Sequence, residues 1–368
     1  YPTNVGEFHY LALLFGIVAI FIINITKSKN INVILFLLYF APLLISISYK
    51  GLNNFYFLLY GSSFLLSILS LSFINKFKLE NNSKWNLTNP AELFLFFISS
   101  LIAIIISFNF FYQGLTTDIY LIYGIREKFI SFISNYTLLA YLSSWIATLL
   151  IFITSFYFGY AKKQLYGFYA LLILFYSIFI IGVKYPVFLS FISFFLGLTI
   201  SNKNSNFYYF LFSIALLLLE IISWYLDFSF IGRLTHSKSV HIDSYYQFYI
   251  SPYLFEEFTN SDMSLSYFIG EKFSVKEFSN ANTMFLVDSL SRYGISIYLL
   301  IVSAFILLFL FLNTIAKPLS ITIFFCYSLI ILSEQALRTS MFSSGLILML
   351  FFIIVFNLFS YKAEYKKK

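Results

Sequence analysis

Long apolar runs separated by short polar breaks fill most of the chain, and each is close to the length a helix needs to cross a hydrocarbon core ~30 Å thick. They fall at approximately 8–25, 31–48, 54–74, 91–111, 136–158, 165–182, 186–201, 207–226, 293–313, 318–332 and 340–359. The pattern predicts an all-α, polytopic membrane protein with eleven transmembrane helices, the seventh and tenth being the shortest. No internal repeat or low-complexity linker divides it, so residues 1–368 read as a single transmembrane domain. The first run reads as a span and not as a removable leader, because Tyr1 to Glu7 offers no basic region. One interval breaks the rhythm: Asp227 to Arg292 is long and polar, and it reads as a large loop, 227–292, between the eighth and ninth spans. A loop of that length and polarity between spans is more often functional than a connector.

Composition agrees, with 60% hydrophobic and 11% charged residues, far from the balance of a water-soluble domain. Charge then sets orientation. Alternate short connections carry Lys27, Lys29, Lys76, Lys78, Lys84, Lys162, Lys163, Lys203, Lys317 and the tail Lys362, Lys366, Lys367 and Lys368. The opposite short connections hold only Lys50, Lys184 and Arg338, so the positive-inside rule predicts an external N-terminus and a cytoplasmic C-terminus. The segment from Gln113 to Asn135 and the 227–292 loop then lie outside. The single cysteine, Cys326, sits in an apolar run and reads as a core residue, with neither a disulfide nor a thiolate metal site available. Glu220 lies within the eighth run, where an acid needs a partner or water and so is expected to face the bundle interior.

The orientation exposes an asymmetry. All four arginines, Arg126, Arg233, Arg292 and Arg338, fall on the outer side, whereas the cytoplasmic cations are all lysine. Two readings stand: a planar, always-charged fork is needed there for a phosphate or carboxylate, or the arginines make unrelated ion pairs. Within the loop, Arg233, His236, His241 and Asp243 fall within eleven residues. A histidine close to a carboxylate suits a general base, zinc is a rival reading of that spacing, and plain solvated loop residues are a third. Glu256-Glu257 reads as a solvated face. Toward the ninth span, a helical reading puts Asn282, Ser289 and Arg292 roughly along one face, with Asp288 four residues before Arg292 as a surface ion pair worth under ~1 kcal/mol.

About eleven spans, a cationic turn after a glycine (Gly182, Lys184), a large late outer loop, and Asn282-Thr283-Met284-Phe285-Leu286 leading to Tyr293-Gly294 together resemble the Wzy-type O-antigen and capsular polysaccharide polymerases. The related O-antigen ligases typically carry His-Asn where this chain has Ala281-Asn282, a departure that disfavours a ligase and leaves the base unassigned. The resemblance implies a GT-C-like membrane glycosyltransferase of the bacterial cytoplasmic membrane. It would polymerise undecaprenyl-pyrophosphate-linked oligosaccharide units on the outer face, without metal, other cofactor or nucleic acid, alongside a chain-length regulator and a flippase. Arg233, Arg292 and Arg338 with Lys184 would then hold the pyrophosphate, Arg126 would also bind substrate, and Asn282 would orient a hydroxyl or a neighbouring side chain. The base would be His241, His236 or Asp243, and Tyr245 and Tyr246 would pack on sugar rings. The alternatives from other classes are a lipid-linked oligosaccharide flippase or other transporter, which this chain's few intramembrane charges do not favour, and the ligase or an acyltransferase.

Overall fold

A computed structural model describes residues 122–135, 137–160, 166–177, 181–183, 185–201, 238–273, 281, 283, 285–315, 318–335, 337–351 and 353–354. The first four apolar runs and the eighth, with Glu220, lie outside the described residues, as do Lys184, Arg233, His236 and Asn282. Among the described residues every regular element is helical and no strand occurs. Two of the helical stretches, Ala140–Tyr160 and Phe285–Leu312, are long and apolar enough to cross a membrane, and Tyr166–Phe175, Tyr185–Leu198 and Ile323–Ser333 are shorter apolar helices. The 21 residues of the first rise about 32 Å, enough for the hydrocarbon core.

The elements fall into two compact units, one within Lys78–Phe212 with Met341–Ile353, the other within Ser213–Ser340. In the first, α1 (Ile122–Ser134) precedes α2 (Thr137–Trp145), which passes through a π-helical turn at Ile146–Leu150 into α3 (Ile151–Tyr160), followed by α4 (Tyr166–Phe175) and α5 (Tyr185–Ser201). Its closest packing is α3 against α5, where Gly159 and Gly197 let the two backbones meet: a Cβ on Gly159 would stand 2.0 Å from the Phe194 carbonyl oxygen, and one on Gly197 would stand 2.1 Å from that of Phe156. Without a hydrophobic force between helices in lipid, small residues that permit close approach and hydroxyls that bond across it do the work of packing. Ser155 and Ser190 bond at 2.8 Å, and Tyr166 from α4 bonds Ser190 and stacks on Phe194 at 3.6 Å. Trp145 donates to the Phe342 carbonyl at 2.9 Å and so ties the later segment to this unit.

The second unit contains α6 (Lys238–Ile250), α7 (Pro252–Thr259), α8 (Leu265–Phe273), α9 (Phe285–Ile315) and α10 (Pro318–Glu334), with α11 (Leu337–Phe342) following. The stretch read as a loop is thus largely helical where it is described. Ser251 caps α7 by accepting from the Leu254 amide, and Pro252 occupies the first turn, where its missing N–H costs nothing. Phe248, Phe258 and Phe268 form an edge-to-face cluster with centroids 5.5–6.1 Å apart that joins α6, α7 and α8. α9 breaks at Gly294, with φ 73° and ψ 178°, a conformation open essentially to glycine alone. Beyond the break, Ile297, Leu300, Leu307 and Phe311 are exposed, an outward face suited to lipid. Cys326 is buried in α10, as its apolar surroundings predict.

Candidate functional site

The polar segment meets a membrane-length helix where α6 packs on the first turns of α9. The sequence Phe285-Leu286-Val287 starts α9 with buried apolar side chains, Leu290 is buried a turn further on, and α6, which packs on this helix, buries Ile242, Tyr245 and Phe248. Ser291 donates to the Tyr245 carbonyl at 3.3 Å, so the two helices are also joined by a polar contact. At this junction sits Asp288. Its side chain is only 4% exposed, and Oδ1 lies 3.4 Å from Nη2 of Arg292, one turn on, whose side chain is 30% exposed. The pair is therefore not the surface contact read from the sequence. A carboxylate withdrawn from water needs an opposite charge and favourable dipoles, and Asp288 has the guanidinium and a place in the first turn of a helix, whose N-terminal end favours an anion.

Arg292 contacts the carboxylate through one nitrogen, while a guanidinium carries five N–H donors in a rigid plane. Its partial exposure and its position 6.0 Å from the Tyr293 ring leave it held at one end and accessible at the other. Such a residue can present a fixed positive fork to an anion without being freely mobile.

His241 and Asp243 both lie on α6 and are half-buried, with Asp243 Oδ1 itself buried. His241 stands four residues before Tyr245 and shares the side of α6 that meets α9. A helix turns residues two apart by about 200°, so it does not set His241 and Asp243 face to face. Tyr245 is 1% exposed and belongs to the helix contact, which corrects its reading as a sugar platform; Tyr246 is half-buried. Burial first, and then the negative charge of Asp288, push the Tyr245 phenol well above its ordinary 10 against an opposing effect of Arg292, so it stays protonated.

Of the remaining residues named from the sequence, Arg126 is exposed on α1 in the other unit and Arg338 is exposed on α11. Glu256 is exposed, as read, but Glu257 pairs with Lys272. Two hydroxyls at the start of α9 add to the picture: Ser289, and Thr283 just before the helix, which the sequence reading did not single out. Both are buried and have no hydrogen-bond partner among the described residues. The signal for a buried acid was present in Phe285-Leu286-Val287-Asp288-Ser289-Leu290, where Asp288 interrupts an apolar stretch. Among the described residues no three His, Cys, Asp or Glu side chains are grouped to hold a metal ion. No family model, curated protein or solved structure matches the chain.

Proposed function

We propose that this protein is an integral-membrane glycosyltransferase that polymerises undecaprenyl-pyrophosphate-linked oligosaccharide units on the outer face of the bacterial cytoplasmic membrane. In this reading eleven spans form a GT-C-like bundle, the N-terminus is external, and the 227–292 segment covers the active site. The observation that carries it is the partly exposed Arg292, braced by the buried Asp288 where a polar segment enters a membrane-length apolar helix. An acceptor sugar hydroxyl attacks the anomeric carbon of the donor, the carbon–oxygen bond to pyrophosphate breaks, and the pyrophosphate leaves with the electron pair. Arg292, with Arg233 and Arg338, stabilises the charge that develops on the leaving group. His241, on the side of α6 that meets α9, accepts the hydroxyl proton; His236 and Asp243 are the other candidates. Asn282 orients a hydroxyl.

Lysine keeps the charge of arginine but loses the planar fork. Arg233→Lys, Arg292→Lys and Arg338→Lys should therefore each lose most surface polymer in cells while keeping wild-type protein levels and melting behaviour. Normal polymer from all three variants would reduce the arginines to structural ion pairs.

A further inference from the structure

We infer that the groove at the turn between α7 and α8 is a glycan subsite that takes the neutral or amino-sugar part of an oligosaccharide and not its phosphate; this rests on the polymerase reading. The groove is lined by Met263, Ser264, Tyr267 and Glu271. Its frame is firm. Phe258 and Phe268 pack at 5.5 Å, Glu257 pairs with Lys272 across the two helices, and the Ser264 carbonyl accepts from the Tyr267 and Phe268 amides at 3.0 and 2.9 Å. On that frame Tyr267 is nevertheless 45% exposed and Met263 40%. An exposed aromatic ring on an ordered backbone, beside a hydroxyl and an exposed carboxylate, is the chemistry that holds a sugar. The C–H face of the ring packs on Tyr267, and sugar hydroxyls or an ammonium donate to Glu271 and Ser264.

Charge decides between occupants. The whole chain carries a net +7, yet residues 252–273 hold four acids, Glu256, Glu257, Asp262 and Glu271, against one base, Lys272, a local balance of −3. That field repels pyrophosphate and anionic lipid headgroups and tolerates a neutral or cationic sugar. The acidic groove would thus read the glycan, while the arginines read its lipid carrier.

The test uses the full-length protein in detergent and, as probe, the oligosaccharide freed by mild acid from the lipid-linked pool of the native cells, labelled at its reducing end. The wild type and Tyr267→Phe should retain it. Tyr267→Ala and Glu271→Gln should weaken binding by about tenfold with unchanged melting, and Arg292→Lys should bind normally, because this probe has no pyrophosphate. No binding by the wild type, or equal binding by Tyr267→Ala, overturns the subsite. So does quenching of a Tyr267→Trp fluorophore by brominated lipid in nanodiscs with no protection from acrylamide by the oligosaccharide, which would make the surface a membrane contact. Binding lost only in the groove variants, in a protein that elongates no chains, would sink the polymerase reading and leave the subsite standing.

Discussion

Substituting Gly159 by alanine tests the packing of the first unit at its tightest point. The added Cβ would stand 2.0 Å from the Phe194 carbonyl oxygen, where ordinary contact begins at 3.4 Å, and the obstacle is helix backbone with no rotamer to escape into. The helices must therefore part by about 1.4 Å, and overpacking of this kind typically costs ~1–3 kcal/mol. The same movement stretches the 2.8 Å Ser155–Ser190 bond and disturbs the Tyr166–Phe194 stack, adding about 0.6 kcal/mol for a membrane hydrogen bond. Against this, alanine gains up to ~1 kcal/mol of helix propensity. The net expectation is a loss of about 1–3 kcal/mol, read by reversible unfolding of the purified protein in mixed micelles of increasing dodecyl sulfate. Gly167→Ala in α4 is the internal control, since nothing lies within 4 Å of its Cβ position, and it should be neutral or slightly stabilising. Because Gly197 guards the same crossing, the double variant should cost less than the sum of its parts. Equal stability of Gly159→Ala and Gly167→Ala would refute the close crossing of α3 and α5.

Gly294→Ala meets no atom within 4 Å, so its cost is backbone strain alone, about 1–3 kcal/mol, and should appear as a lowered melting temperature; an unchanged one would mean that α9 does not need its break. The topology is read by single cysteines at Ser239 and Ser360 in a protein lacking Cys326: an impermeant thiol reagent should label position 239 and not 360 in cells with a permeabilised outer membrane, and the reverse pattern would invert the orientation.

Elements set by burial in an apolar medium were legible in the sequence. The runs 136–158 and 186–201 return as helices displaced by no more than two residues, because a continuous apolar stretch in lipid can satisfy its backbone only as a helix. The apolar run beginning at 293 starts where α9 breaks at Gly294, and the turns before the break, from Phe285, are helical as they pack on α6. Three-dimensional contact also decided what periodicity could not. Asp288 reads as a surface acid from its i,i+4 partner, yet neighbours from another helix bury it. Tyr245 looks like one of two exposed tyrosines until α9 covers it. The aromatic cluster that folds 248–268 joins residues up to twenty apart, beyond the reach of any local pattern. Arg292 is a candidate by residue type and position alone; the burial of its partner Asp288 was signalled only by the apolar stretch that Asp288 interrupts.

Chain elongation by the purified protein tests the central claim most directly. With undecaprenyl-pyrophosphate-linked repeat units as the sole substrate and no nucleotide sugar, the wild type should convert single units into a ladder of longer lipid-linked chains. Arg292→Lys should be slower by about 10²–10³-fold, as when a charge-stabilising donor is lost, and His241→Ala and His241→Gln by about 10²–10⁴-fold, as when a general base is lost. A ladder from His241→Ala within a few-fold of the wild type would remove His241 from the chemistry. A wild-type protein that leaves every unit single, while folded and loaded with substrate, would contradict the assignment as a polymerase.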